Sequence, residues 1–420
     1  MFFARSLIVV VATSLCAAPC FGAAPPDNAE IVGLVEQALA THPSAGAARA
    51  QVAAARSELS ASRWSLFPGV SVESFADSRK DGNLSTAVSV EQPLWTGGRI
   101  SASIRQSNSR LEAALASLDE VCLDLAQRTV QAYVDVQRLR RRARILEDSL
   151  DEHRKLVDSM RRRVEQEISP ASDLELARSR TRQTEIDALQ TEAEADVALL
   201  RLKSLTGNDN LQVAALLDYR EQVQGASPAD VLRAALDFDP RTRRVTAEAA
   251  IAGAEVSLRK SELMPQVGVR YQHYLGGDDA LDDQLGLVFR IQTDGGLSRV
   301  SAINAAKQRE QAASLAINTA TREQRETVLS ALTDNAAARR RALAGRDAAQ
   351  AAKSVTDSFL RQFAAGRRTW PEVLNSVRET VTAELTQIDA EAGAVTSYVR
   401  LLLLSGQWQP GQEQASEENP

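Results

Sequence analysis

The chain of 420 residues carries a net charge of −6, with 25 % charged and only 4 % aromatic residues, and its 21 Gly and 13 Pro are few for its length. So mild a charge gives no field for nucleic acid, and three His with three Cys leave little for a metal site. The absence of a Gly-Lys dipeptide, of HExxH and of GxSxG removes the P-loop and two large hydrolase classes, so the composition argues against most familiar enzyme classes and points to long helices, and neither enzymatic activity nor a cofactor is expected.

Residues 1–24 read as a secretory signal. Arg5 supplies the charge, and Leu7 to Ala18 is an apolar run too short to cross a bilayer. Gly22 and Ala24 fit the small positions before a cleavage site after Ala24. Cys16 and Cys20 then leave with the signal, so Cys122 stands alone and no intrachain disulfide is expected. No later apolar run approaches the length of a transmembrane helix.

The remainder is one plan written twice, as residues 25–215 and 216–406, followed by a polar tail, 407–420. His42-Pro43 matches Asp239-Pro240 at an offset of 197, and Phe67-Pro68-Gly69-Val70 matches Met264-Pro265-Gln266-Val267 at the same offset. Gly97-Gly98 matches Gly295-Gly296 at 198, and Leu205-Thr206-Gly207 matches Leu404-Ser405-Gly406 at 199. A period this long is a duplicated domain-sized unit rather than a solenoid. Each half reads short helix, helix, strand, strand, long helix, medium helix.

In the first half, strands are expected at about 67–76 and 83–93. The stretch 99–169 then lacks both Gly and Pro. From Leu111 through Leu118, Leu125, Val136, Leu146 and Val157 to Val164, apolar residues recur at alternating spacings of four and three. That is a heptad seam, the mark of a left-handed coiled coil, and it predicts one helix of roughly 100 Å at about 1.5 Å per residue. Pro170 turns the chain into a medium helix, 171–206, whose seam is mostly small: Leu174, Ala177, Thr181, Ala188, Ala195, Ala198 and Leu202. The second half repeats this with strands at about 265–275 and 283–293, a long helix at 297–365 and a medium helix at 371–405. A short helix stacked on a medium one nearly equals a long one, so each chain should supply four helical columns of equal height.

The strands alternate strictly. Val70 and Val72, then Val88 and Val90, Val267 and Val269, and Leu285, Leu287 and Phe289 fall on one parity, with Ser71, Ser89, Gly268 and Arg290 on the other. Strands of about ten residues suit a membrane β-barrel. The helices already carry seams for one another, so the apolar strand faces have no soluble partner. An open sheet in lipid leaves edge groups bare at several kcal/mol each, and the smallest barrels have eight strands. Strands from several chains must therefore close one barrel.

The segment Gln92-Pro93-Leu94-Trp95-Thr96-Gly97-Gly98-Arg99-Ile100, a hairpin ending in Gly-Gly before a long helix, resembles the signature of TolC-type outer membrane efflux proteins. Pro93 is expected to end the ladder, and the glycines to permit the tight passage into the helix. Gly295 and Gly296 keep the glycines in the second copy, which lacks the Pro. The resemblance implies a mainly α fold with a membrane β-barrel portion. A homotrimer would form a 12-stranded barrel among outer membrane lipid and a 12-helix α-barrel reaching into the periplasm. It implies a passive duct, energised by an inner-membrane ABC or proton-driven transporter through a periplasmic adaptor, in a tripartite efflux pump or a type I secretion system. The segment Gly366 to Asn375 looks like the branch that exports large adhesins.

The resemblance also assigns residues. Arg368 matches a gate arginine, with Asp173 and Ser172 as its partners on the other turn and Phe363 where the family has a tyrosine. Glu372 and Asn375 match two carboxylate positions that narrow the pore. Ser172 or Asp173 equally suits a helix cap, and Glu372 suits a helix N-terminus. Arg138 to Arg144, with five arginines, and Arg339 to Arg341 read mostly as solvated coiled-coil faces, with adaptor contact or interhelix pairing as the alternative, and His153 as a packed core residue. Trp64, Phe67 and Trp95 flank the hairpins, as interface anchors or simple packing. A periplasmic coiled-coil adaptor without a pore is the competing reading, and the four amphipathic strands weigh against it.

Overall fold

The computed structural model describes residues 29–76, 84–213, 227–275, 283–291 and 298–410. The first half contains α1 (Ala29–Thr41), α2 (Pro43–Trp64), β1 (Gly69–Ala76), β2 (Leu84–Trp95), α3 (Arg99–Glu165) and α4 (Ala171–Thr206). The second contains α5 (Pro228–Phe238), α6 (Pro240–Ser261), β3 (Gln266–Leu275), β4 (Gln284–Arg290), α7 (Ser298–Ala364) and α8 (Trp370–Leu404), in the same order. The expected signal and most of the tail fall outside the described residues, as do Gly295 and Gly296.

Local chemistry fixes the helix starts. Pro43, Pro228 and Pro240 occupy first-turn positions, where a missing N–H costs nothing. Asp239 Oδ2 accepts from Thr242 N at 2.9 Å, and Ser227 Oγ from Asp230 N at 3.2 Å. The long helices follow from the lack of breakers, and α3 and α7 each run 67 residues.

The short and medium helices stack end to end. Gly207 closes α4 at φ +65 and lies beside Thr41, whose Oγ1 donates to Thr206 O at 3.0 Å. Gly406 follows α8 at φ +67 and faces Phe238, where an added Cβ would come within 2.5 Å of the ring. Thus α2 continues the column of α4, and α6 that of α8. The main core cluster joins α1, α3, α4 and α8 through Ile31, Val35, Val130, Tyr133, Leu202 and Leu403, each such side chain stabilising by about 1.5–3 kcal/mol. The seam of α3 is mostly buried from Leu125 to Met160, whereas Leu115 is exposed and Leu118 and Val164 are half-buried. The reason is length: α4 reaches only partway, and near the strands α3 packs on α2 and α6 through a different stripe that includes Ala102 and Ala116.

The four strands form one antiparallel sheet in the order β1-β2-β3-β4. One face carries the rows Val70–Val90–Tyr271–Leu285, Val72–Val88–His273 and Val267–Phe289; the other carries Gly69–Glu91–Arg270–Gly286 and Ser71–Ser89–Gln272–Gln284. The apolar face is bare: Leu285 and Leu287 are each 74 % exposed. Among the described residues no helix is long and apolar enough to cross a membrane.

Two expectations need correction. Pro93 does not end the ladder: it pairs with Gly268, and β2 runs on to Trp95 through an irregularity between Pro93 and Trp95. A bulge tolerates the missing N–H without ending the strand. The arginines of 138–144 are not simply solvated. Arg138 and Arg142 reach Asp389 at 3.2 and 2.6 Å, Arg141 reaches Glu391 at 2.8 Å, and Arg140 donates to Val213 O. The pairs with Asp389 and Glu391 tie α3 to α8 across some 250 residues of sequence.

Candidate functional site

Two places gather the residues singled out in the sequence: the passage from strand to helix, and the far tip of the helical hairpins. At the passage, Gln92 Nε2 donates to Leu66 O and Pro93 O, both at 2.9 Å, tying β2 to the end of α2. Leu94 and Trp95 are exposed, close in sequence to the buried Thr96. Gly97 and Gly98 have φ of +60 and +87, a region that L side chains avoid. A Cβ on Gly97 would fall 2.3 Å from Met264 Cβ, so this glycine also lets the first junction touch the second. Trp64 stacks on Phe67 at 5.0 Å, and both rings are more than half exposed.

At the tip, the hairpins α3–α4 and α7–α8 share one apolar cluster of Val157, Met160, Leu174, Ala177, Trp370 and Val373. Phe363 packs on this cluster, 5.3 Å from the Trp370 ring, with the Arg163 guanidinium 4.6 Å above it. The first turn places Glu167 at φ +58, and Ile168 N bonds back to Arg163 O, closing α3 where Gly366 closes α7. The N-cap of α4 is Pro170, without a side-chain bond, so neither Ser172 nor Asp173 caps it. Ser172 is exposed and Asp173 half-buried.

Arg368 bonds through Nη1 to Glu372 Oε1 at 2.6 Å and through Nε to Gln362 Oε1 at 3.1 Å, while its guanidinium lies 4.2 Å from the Phe359 ring. Within one chain, then, the structure joins Arg368 to Glu372 and not to Asp173. Glu372 Oε2 accepts from Thr369 N and Thr369 Oγ1 at 2.9 and 2.8 Å, in a capping box at the start of α8. Those bonds from Thr369, with Arg368 third, hold its carboxyl down at about 2. Asn375, one turn on, is exposed. His153 is buried in the seam, and burial followed by the charge of Arg180 pushes its imidazole down, so it stays neutral at pH 7.

Sequence reasoning missed Phe359, Gln362 and Thr369 around Arg368. The spacing of 362, 368 and 372 spans a helix break, and only Thr369-x-x-Glu372 was a visible capping signal. Among the described residues no three His, Cys, Asp or Glu cluster in a way that could hold a metal.

Paired helical hairpins joined to an amphipathic four-stranded sheet are the architecture that the chain shares with solved outer-membrane channels. Residues 34–208 match the family described as outer membrane efflux protein. The outer membrane efflux protein BepC of Brucella suis biovar 1 (strain 1330) is 25 % identical over 333 residues, covering 76 % of this chain and 71 % of that one. The outer-membrane channel OprN superposes with a TM-score of 0.81 at 20 % identity, over 91 % of each chain. The outer membrane protein VceC of Vibrio cholerae does so at 0.79 and 15 %, over 90 % of this chain and 96 % of the other. Over residues 34–208 the chain is thus similar to the outer membrane efflux protein family, and its fold is that of solved outer-membrane channels.

Proposed function

We propose that three copies of the chain form a passive export duct, with a 12-stranded barrel in the outer membrane continued by a 12-helix tunnel in the periplasm. The observation that carries this is the sheet. It is apolar and bare on one face, polar on the other, and β1 and β4 each have only one strand neighbour among the described residues. Pairing β4 of one chain with β1 of the next satisfies both edges and puts the polar face inside. The helices support the same closure. Ile186, Leu189, Val197 and Leu200 form an exposed stripe on α4, and Leu315, Leu329 and Leu343 one on α7, the two helices at opposite edges of the chain.

On this reading the tips form the periplasmic entrance. Arg368 reaches Asp173 or Ser172 of a neighbouring chain to hold it shut, Phe363 packs the hinge, and Glu372 and Asn375 face the pore. An inner-membrane transporter supplies energy through a periplasmic adaptor. The run Gly366 to Asn375 favours type I secretion over drug efflux. Reconstitution into planar bilayers tests the duct: discrete single-channel steps are expected, and a preparation that binds membranes without conducting would refute it.

A further inference from the structure

On the polar face of the sheet, at its helix end, lies a cavity of about 350 Å³. All of its strand residues except Val267 share one parity, among them Gly69, Glu91, Pro93, Gly268 and Arg290. Two glycines make the floor shallow. At Gly268 a Cβ would meet Gln92 O at 3.0 Å and crowd the Glu91 side chain. Arg99, in the first turn of α3, completes the rim.

The charges there are unequal. Glu91 is the one carboxylate in the lining, and it is committed: Arg270 donates to its Oε2 from Nε at 3.0 Å and from Nη2 at 2.5 Å. Arg290 lies farther from the same oxygen, at 3.5 Å, and is 42 % exposed. Arg99 is exposed and its side chain has no partner among the described residues. It also sits at the positive end of a 67-residue helix whose N-cap, Gly98, offers no side-chain acceptor. Two guanidinium groups with donors to spare thus border a polar hollow, with one carboxylate already neutralised by a third arginine.

We propose that this hollow is an anion station on the inner wall of the duct, taking a carboxylate, sulfate or phosphate group of a passing solute between Arg99 and Arg290. The inference rests on the duct reading, which puts this face inside and repeats the station in each chain around one axis. Glu91 and Arg270 position the site, since their bond joins β2 to β3 and leaves Arg290 only the longer contact to Glu91 at 3.5 Å. The station makes the duct's barrel end favour anionic groups, opposite in sign to the carboxylates of the tip.

The test uses full-length protein in planar bilayers, with inorganic tripolyphosphate added on the loop side of the barrel as the probe. It should block the wild-type current. Arg99→Gln and Arg290→Gln should each raise the half-blocking concentration about tenfold, the loss of one hydrogen bond between charged groups. Both variants should also shift the reversal potential in a KCl gradient toward cations. Arg290→Lys, which keeps the charge, should retain most of the block. Conducting channels with equal block in the wild type and both Gln variants would overturn the station alone. If the wild type forms no channel, the duct reading falls and the station with it.

Discussion

Arg368 Nη1 donates to Glu372 Oε1 at 2.6 Å across the start of α8, so the two residues assigned to gate and constriction are bonded to each other within one chain. Their charges are coupled: whatever draws Arg368 toward another acceptor also unveils Glu372. A clasp between chains would therefore change both the mechanics and the electrostatics of the entrance.

The first prediction is electrical. Three Glu372 carboxylates around an axis favour cations. Glu372→Gln should lower the cation preference and Asn375→Asp should raise it, read as reversal potentials in a low-salt gradient. The effect is modest near physiological salt, where screening acts over ~8 Å. Unchanged selectivity in both variants would remove these side chains from the pore.

The second is its pH dependence. The Glu372 carboxyl is depressed from 4.5 to about 2 by Thr369 and Arg368. A depressed carboxyl contributes stability that is fully present above its unfolded value and lost as pH falls through its folded one. The cap of α8 and its share of the cation preference should persist from pH 7 to near 4.5 and fade only toward pH 2. Loss of the Glu372-dependent preference between pH 6 and 5 would contradict the bonding seen here.

The third concerns the clasp. Arg368→Ala and Asp173→Ala should each raise single-channel conductance, and the double variant should be non-additive if the side chains meet between chains. Additive changes would separate them.

How legible all this was in the sequence depends on the range of the interaction. The heptad spacing, the Gly- and Pro-free run and the strand alternation are local, and they place α3, which ends at Glu165 rather than 169, within a few residues. What local pattern omits is which partner a surface meets. Arg141 looked solvated because nothing near it in sequence is its partner, yet Glu391 lies 250 residues away and only 4 % of its side chain is exposed. Pro93 looked like a strand end because its missing N–H was visible and the bulge that absorbs it was not. Arg368 was singled out only by resemblance, and its bond to Glu372 needed the turn geometry.

The fourth prediction follows from that ion pair. Arg141→Ala leaves the Glu391 carboxylate buried with weaker company, Arg346 at 3.6 Å and Gln387 at 2.8 Å. It should cost about 2 kcal/mol, discounted for the partial exposure of the arginine, seen as a lower unfolding midpoint. Arg128→Ala, an exposed pair with Asp124, should change stability by less than about 0.5 kcal/mol. Equal midpoints would show that the α3–α8 link is ornamental.

The fifth compares adjacent glycines. Gly98→Ala meets only Ser101 Oγ at an ordinary contact distance of 3.9 Å and should cost the left-handed conformation, about 1 kcal/mol. Gly97→Ala adds a clash with Met264 and should sharply reduce assembled protein in the outer membrane. Equal yields would mean that the two junctions do not press together.

The central claim is that strands of separate chains close one barrel. Native mass spectrometry of the protein extracted from outer membranes in mild detergent tests it most directly. The account predicts a single species of three mature chains that stays whole after delipidation. A stable monomer, or a soluble periplasmic species of any size, would contradict it.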